Sequence, residues 1–158
     1  MRKQRLESIP LRVNFLSVIL MLIFFVAGLW ISFRWGVAGG AVYLLLWAAS
    51  YPILFAGACR HCAYYGTRCP VPLEGSCVHH LFKKVDDGFG WQSLVWAGFA
   101  YLLRVCIPVW IIFSEPLPKS GVLYGGIFLL FWIVHFTVSG CPGCVNDQCP
   151  INPDYQKT

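Results

Sequence analysis

Four long apolar segments constrain this 158-residue chain more than anything else in it: Val13 to Phe33, Gly36 to Gly57, Ser93 to Phe113 and Gly121 to Ser139. About 20 consecutive apolar residues suffice to cross the hydrocarbon core of a bilayer as a helix. The first two segments contain no charged residue, and Arg34 lies in the tight connection between them. None of the four shows the polar stripe that a soluble helix turns toward water. With 58% hydrophobic and only 12% charged residues, the composition excludes a small soluble domain. Backbone polar groups inside lipid must bond within their own segment, so helices are the expected form. The expectation is an all-α integral membrane protein with four transmembrane helices. A cleaved leader is not expected, because the first apolar run is too long and no A-x-A-like site follows it.

Basic residues set the expected orientation. Arg2, Lys3, Arg5 and Arg12 precede the first segment, Arg60, Arg68, Lys83 and Lys84 lie between the second and third, and Lys157 is in the tail. The opposite connections hold only Arg34 and Lys119. Lys and Arg accumulate on the cytoplasmic side. Both termini and the central loop are therefore expected in the cytosol, in a cytoplasmic membrane of bacterial type. The net charge of +5 is scattered and suits contact with anionic lipid rather than nucleic acid.

Seven of the eight cysteines form two clusters, each following an apolar segment. The first holds Cys59, Cys62, Cys69 and Cys77, and the second Cys141, Cys144 and Cys149. Each opens C-x2-C and continues to a Cys-Pro pair, Cys69-Pro70 or Cys149-Pro150. In a reducing cytosol such a framework binds metal or works as a redox pair more often than it forms disulfides. A reversed topology would favour disulfides.

The chain also resembles itself. Gly36 to Trp47 and Gly121 to Trp132 share six of twelve residues without a gap, and Trp30-Ile31-Ser-Phe33 matches Trp110-Ile111-Ile-Phe113. Aligning Cys59 with Cys141 needs a gap of three residues. The expected plan is two parallel-repeat helical hairpins, each followed by a Cys-rich segment, with residues 1–92 as one half and 93–158 as the other. A pseudo-twofold along the membrane normal would bring both clusters to one face at similar depth. The two C-x2-C pairs could then share one tetrahedral site. The other arrangement is one site per half, with His61, His79 or His80 completing the second set.

Thiolates suit zinc and iron–sulfur clusters alike. The Cys-Pro ending resembles that of bacterial ferredoxin runs, although the spacings here are longer. Iron–sulfur ranks ahead of zinc, since a cluster beside a bilayer can exchange electrons with a membrane carrier such as a quinone. Arg104, deep in the third segment with no acidic residue inside any span, and His135, shortly before the second cluster, are the candidate cofactor-binding side chains. Cys106 reads as a small packing residue. The functional expectation is a small membrane electron-transfer or accessory subunit with a cysteine-ligated metal site. The alternative is a membrane thiol–disulfide oxidoreductase or soft-metal carrier using the two C-x2-C pairs. Four-helix quinone-linked thiol oxidases are similar in helix count and paired cysteines. No phosphate-binding loop, dinucleotide fingerprint or serine–histidine motif is present.

Overall fold

A computed structural model describes residues 10–69, 71, 74–115, 117–139, 144–146 and 149–152. All of its regular elements are helical: α1 (Leu11–Ser32), α2 (Gly36–Gly57), α3 (Glu74–Leu81), α4 (Trp91–Ser114) and α5 (Pro118–Val134). Single 3-10 turns follow α1 and α2, and α5 runs on into a π-helical turn at His135–Ser139. Pro10 stands just before α1 and Pro118 opens α5, positions where the missing N–H is no loss.

Three stretches are long and apolar enough to cross a membrane: Leu11–His61, Trp91–Ser114 and Pro118–Val138. The first takes in both α1 and α2. The expectation of four separate segments is modified here, because only the 3-10 turn Phe33–Trp35 separates the first pair. The chain nonetheless reverses at that turn. Gly36 adopts φ +75°, which favours glycine, and Phe25 of α1 then meets both Tyr43 and Trp47 of α2.

Phe24 is the centre of the core. It is fully buried and contacts Trp47, Tyr124, Phe128 and Phe131, with ring centroids 5.3 to 6.2 Å apart. Leu20, Met21, Ile31, Tyr43 and Ile111 complete the cluster. In this way α2 packs on α4, and α1 on both α5 and α4. The outward faces are as apolar as the inward ones: Leu22, Val26, Leu45, Leu102 and Leu129 are all exposed. A helix that is apolar all round suits lipid on its outer face.

The chain order puts the start of α1, the end of α2, the start of α4 and the end of α5 at one end of the bundle. Asn14 Nδ2 donates to the carbonyl of Cys69 at 3.0 Å, tying α1 to the cysteine-rich loop there.

Candidate functional site

The loop after α2 is folded by its own backbone. The amide of Cys62 bonds to Cys59 O (3.2 Å), Thr67 to Tyr64 O (3.0 Å) and Gly66 to Gly75 O (2.8 Å). Gly75 is buried beneath these turns, and a Cβ there would stand 2.6 Å from Thr67 O and 2.8 Å from Tyr64 O. Only glycine lets α3 start this close to the loop. The Tyr65 hydroxyl donates to Phe82 O (2.7 Å), closing the far end of α3 against the same loop.

This folding places thiols of both clusters around one cavity of about 400 Å³. Cys59, Cys62 and Cys69 line it from the first cluster, and Cys144 and Cys149 from the second. Tyr64 stands between the two sides: it is 2% exposed and lines the cavity together with Cys62 and Cys144. The remaining wall is mostly apolar and aromatic, with Tyr101, Trp132, His135 and Phe136 from α4 and the end of α5. All seven described cysteines are free thiols.

Burial dominates the electrostatics of these thiols. It pushes Cys62 up to about 12 and raises Cys69 and Cys144 as well. Neighbouring thiols add to the effect: Cys144 and Cys149 act on Cys62, and Glu74 and Cys62 on Cys69. Backbone hydrogen bonds work the other way, from Tyr64 to Cys62, from Gly75 and Val71 to Cys69, and from Asn146 to Cys144. A hydrogen bond that lowers a thiol's pKa is one donated to sulfur, since it favours the thiolate. The Cys69 thiol is also a donor itself, to Val71 O at 2.8 Å.

Arg104 lies beneath the cavity rather than in its wall. It is fully buried, and Nη2 donates to Glu74 Oε1 at 3.2 Å while Nε donates to Ser50 Oγ at 2.8 Å. Its guanidinium also faces the rings of Tyr51, Tyr101 and Trp47 at 4.7, 4.8 and 5.1 Å. Arg104 therefore does have an acidic counter-ion, contrary to the expectation from the spans alone. Glu74 arrives from α3, in the loop, and is 4% exposed. Burial raises its carboxyl despite the adjoining guanidinium. The arginine is used inside the protein, where it fastens the cysteine loop to α2 and α4.

Comparison with protein-family models, curated proteins and solved structures finds no match for this chain. The functional reading therefore rests on where its own residues fall. His135 lines the cavity and packs on Phe131 at 6.0 Å. Cys77 sits on α3 outside the cavity wall, and Cys141 lies outside the described residues. His79 and His80 face each other at 3.8 Å, both exposed, and His61 turns to Asp87, so the histidines considered as extra ligands are elsewhere. Cys106 is half-buried and donates to Leu103 O at 3.4 Å, as a packing residue can. Among the described residues, no three His, Cys, Asp or Glu side chains stand in a grouping that could hold a metal ion. Sequence reasoning missed Tyr64, Glu74 and Gly75. The Tyr-Tyr-Gly run after the first C-x2-C was the available signal for Tyr64, and nothing local marked Glu74.

Proposed function

We propose that this chain is an integral membrane protein that holds a soft metal centre between its two cysteine clusters, at the cytoplasmic face. The observation carrying the proposal is the shared cavity: Cys59, Cys62 and Cys69 line it with Cys144 and Cys149, across more than 80 residues of sequence. Iron–sulfur is preferred to zinc because a cluster beside a bilayer can exchange electrons with a membrane carrier. The role is membrane electron transfer or support of a redox partner, with a quinone as a fitting carrier.

The repeat reading belongs to the same proposal. A twofold that exchanges α1 with α4 and α2 with α5 maps the α1–α5 contact onto the α4–α2 contact, and both pairs pack together. Phe24 and Arg104, matched by the repeat, are both fully buried. Four spans, with both termini and both clusters inside, complete the picture.

Thiol–disulfide exchange is the weaker reading. Reactive thiols have lowered pKa values beside cations or helix N-termini. Here the resolved loop thiols are raised. A bound metal deprotonates its thiols outright. The test is metal content and visible absorption of protein purified without oxygen. Stoichiometric iron with charge-transfer absorption, lost in a Cys62→Ser/Cys144→Ser double variant, is the expected result. Zinc lost in the same variant would keep the site and change the metal. Neither metal above the level of that variant would overturn the reading.

A further inference from the structure

A second, polar cavity of about 360 Å³ opens on the other side of Cys59, between the end of α2, the loop at residues 85–90 and the start of α4. Arg60, His61, Asp87 and Ser93 line it, with Trp91 and Trp96 at its edge. It shares no wall residue with the thiol cavity.

Its polar side chains form a relay. Arg60 Nε donates to His61 Nε2 at 3.0 Å, and His61 Nδ1 bonds Asp87 Oδ1. Because Nε2 accepts, the ring proton is on Nδ1 and goes to the carboxylate. The relay fixes the plane of the guanidinium, whose charge also acts on the Asp87 carboxylate, and among the described residues its two terminal amino groups make no hydrogen bond. The backbone holds the frame, with Val85 N bonded to Arg60 O at 3.1 Å. Opposite, α4 begins at Gly90 with no side-chain cap, and its first intrahelical bond is Leu94 N to Gly90 O. The amides of its first turn are therefore free to bind an anion. Ser93, in that turn, is 4% exposed, and among the described residues its hydroxyl makes no hydrogen bond. Asp87 is the one carboxylate of the lining; it is held by His61 and competes with a bound anion for the charge of Arg60.

We propose that this cavity binds a phosphate group, held by the terminal amino groups of Arg60, the Ser93 hydroxyl and the first-turn amides of α4. A planar guanidinium and a helix N-terminus together match tetrahedral phosphate oxygens. Two sources share this chemistry: an anionic phospholipid headgroup and a soluble phosphate. Trp91 and Trp96, 68% and 49% exposed, are belt-type residues that place the cavity at headgroup level. The site is independent of any metal in the thiol cavity.

The test uses the full chain in detergent. Native mass spectrometry compares retention of phosphatidylglycerol and phosphatidylcholine, and calorimetry titrates inorganic phosphate. The expected result is a preference for phosphatidylglycerol of about tenfold or more, from charge-assisted bonds to the phosphate without a choline facing Arg60. Arg60→Gln should remove the preference, Ser93→Ala should weaken it severalfold, and Arg34→Gln at the opposite end should leave it unchanged. Saturable binding of inorganic phosphate that Arg60→Gln abolishes supports the site with a soluble ligand. Equal lipid retention by wild type and Arg60→Gln, with no saturable phosphate binding, overturns the proposal. Thermal unfolding without added anion shows whether Arg60→Gln folds. If it does not, Ser93→Ala decides alone, and unchanged binding there overturns the site.

Discussion

At the scale of single residues, the Arg104–Glu74 pair is the most consequential contact and an asymmetric one. An arginine cannot shed its proton, whereas a buried carboxyl can take one up. Glu74→Gln leaves the 0%-exposed Arg104 charged and without its counter-ion. That loss should cost about 3–5 kcal/mol, the usual range for breaking a buried pair. Arg104→Gln leaves Glu74 able to go neutral, helped by a carboxyl that burial already raises. It should therefore cost less, by about 1 kcal/mol or more. The double variant should be milder than the sum of the two. Denaturant unfolding of all four proteins in one detergent measures this, and additive losses would show that the pair is not coupled.

The thiols offer a pH test at the same scale. Cys62 moves from its ordinary 9.0 to about 12 on folding, because burial disfavours the thiolate. The stability this gives is fully present below 9 and is lost as pH rises toward 12. Metal-free protein should therefore weaken in alkali. At neutral pH burial therefore keeps its Cys62 thiolate much scarcer than that of an open cysteine. Iodoacetamide labelling followed by mass spectrometry should find Cys62 slow, speeding up about tenfold per pH unit. Labelling at the rate of a free cysteine at pH 7 would contradict the buried environment.

At the scale of elements, the long helices were legible and the short one was not. Apolar run length marks a helix in lipid directly, and α2 was expected and found at Gly36 to Gly57. α3 was hidden because eight residues with a polar start carry too little periodicity to read. The partner of Arg104 was hidden for the same reason, since Glu74 lies 30 residues away in what reads as a polar loop. The self-resemblance of the sequence raised the expectation that the clusters meet, and thiols of both line one cavity, whereas the place of Tyr64 between them depends on how the loop folds. Gly75 supplies an element-level prediction. Gly75→Ala drives a methyl into the carbonyls of Thr67 and Tyr64 and should lift the start of α3 off the loop. A loss of about 1–3 kcal/mol follows from overpacking of this kind. Hydrogen exchange should rise at the amides of Gly66 and Thr67 while α1 and α5 stay protected. Unchanged exchange at those two amides would mean that the loop tolerates the methyl.

At the scale of the whole molecule, the proposed membrane placement makes orientation decisive, because the side that each end faces sets the redox state of every loop thiol. The cysteine loop and the start of α1 share one end, joined by the Asn14–Cys69 bond, and the turn between α4 and α5 lies at the other. Nine basic residues belong to the first end and its tails, against Arg34 and Lys119 at the other. Such a bias directs the richer end inward. Lys83 and Lys119 are both exposed, so each reports on its own end. A membrane-impermeant amine reagent applied to intact cells should modify Lys119 and spare Lys83. Permeabilised cells should show both. Modification of Lys83 from outside would reverse the topology, put the thiols in an oxidising compartment and turn the shared cavity from a metal centre into a candidate for disulfide chemistry.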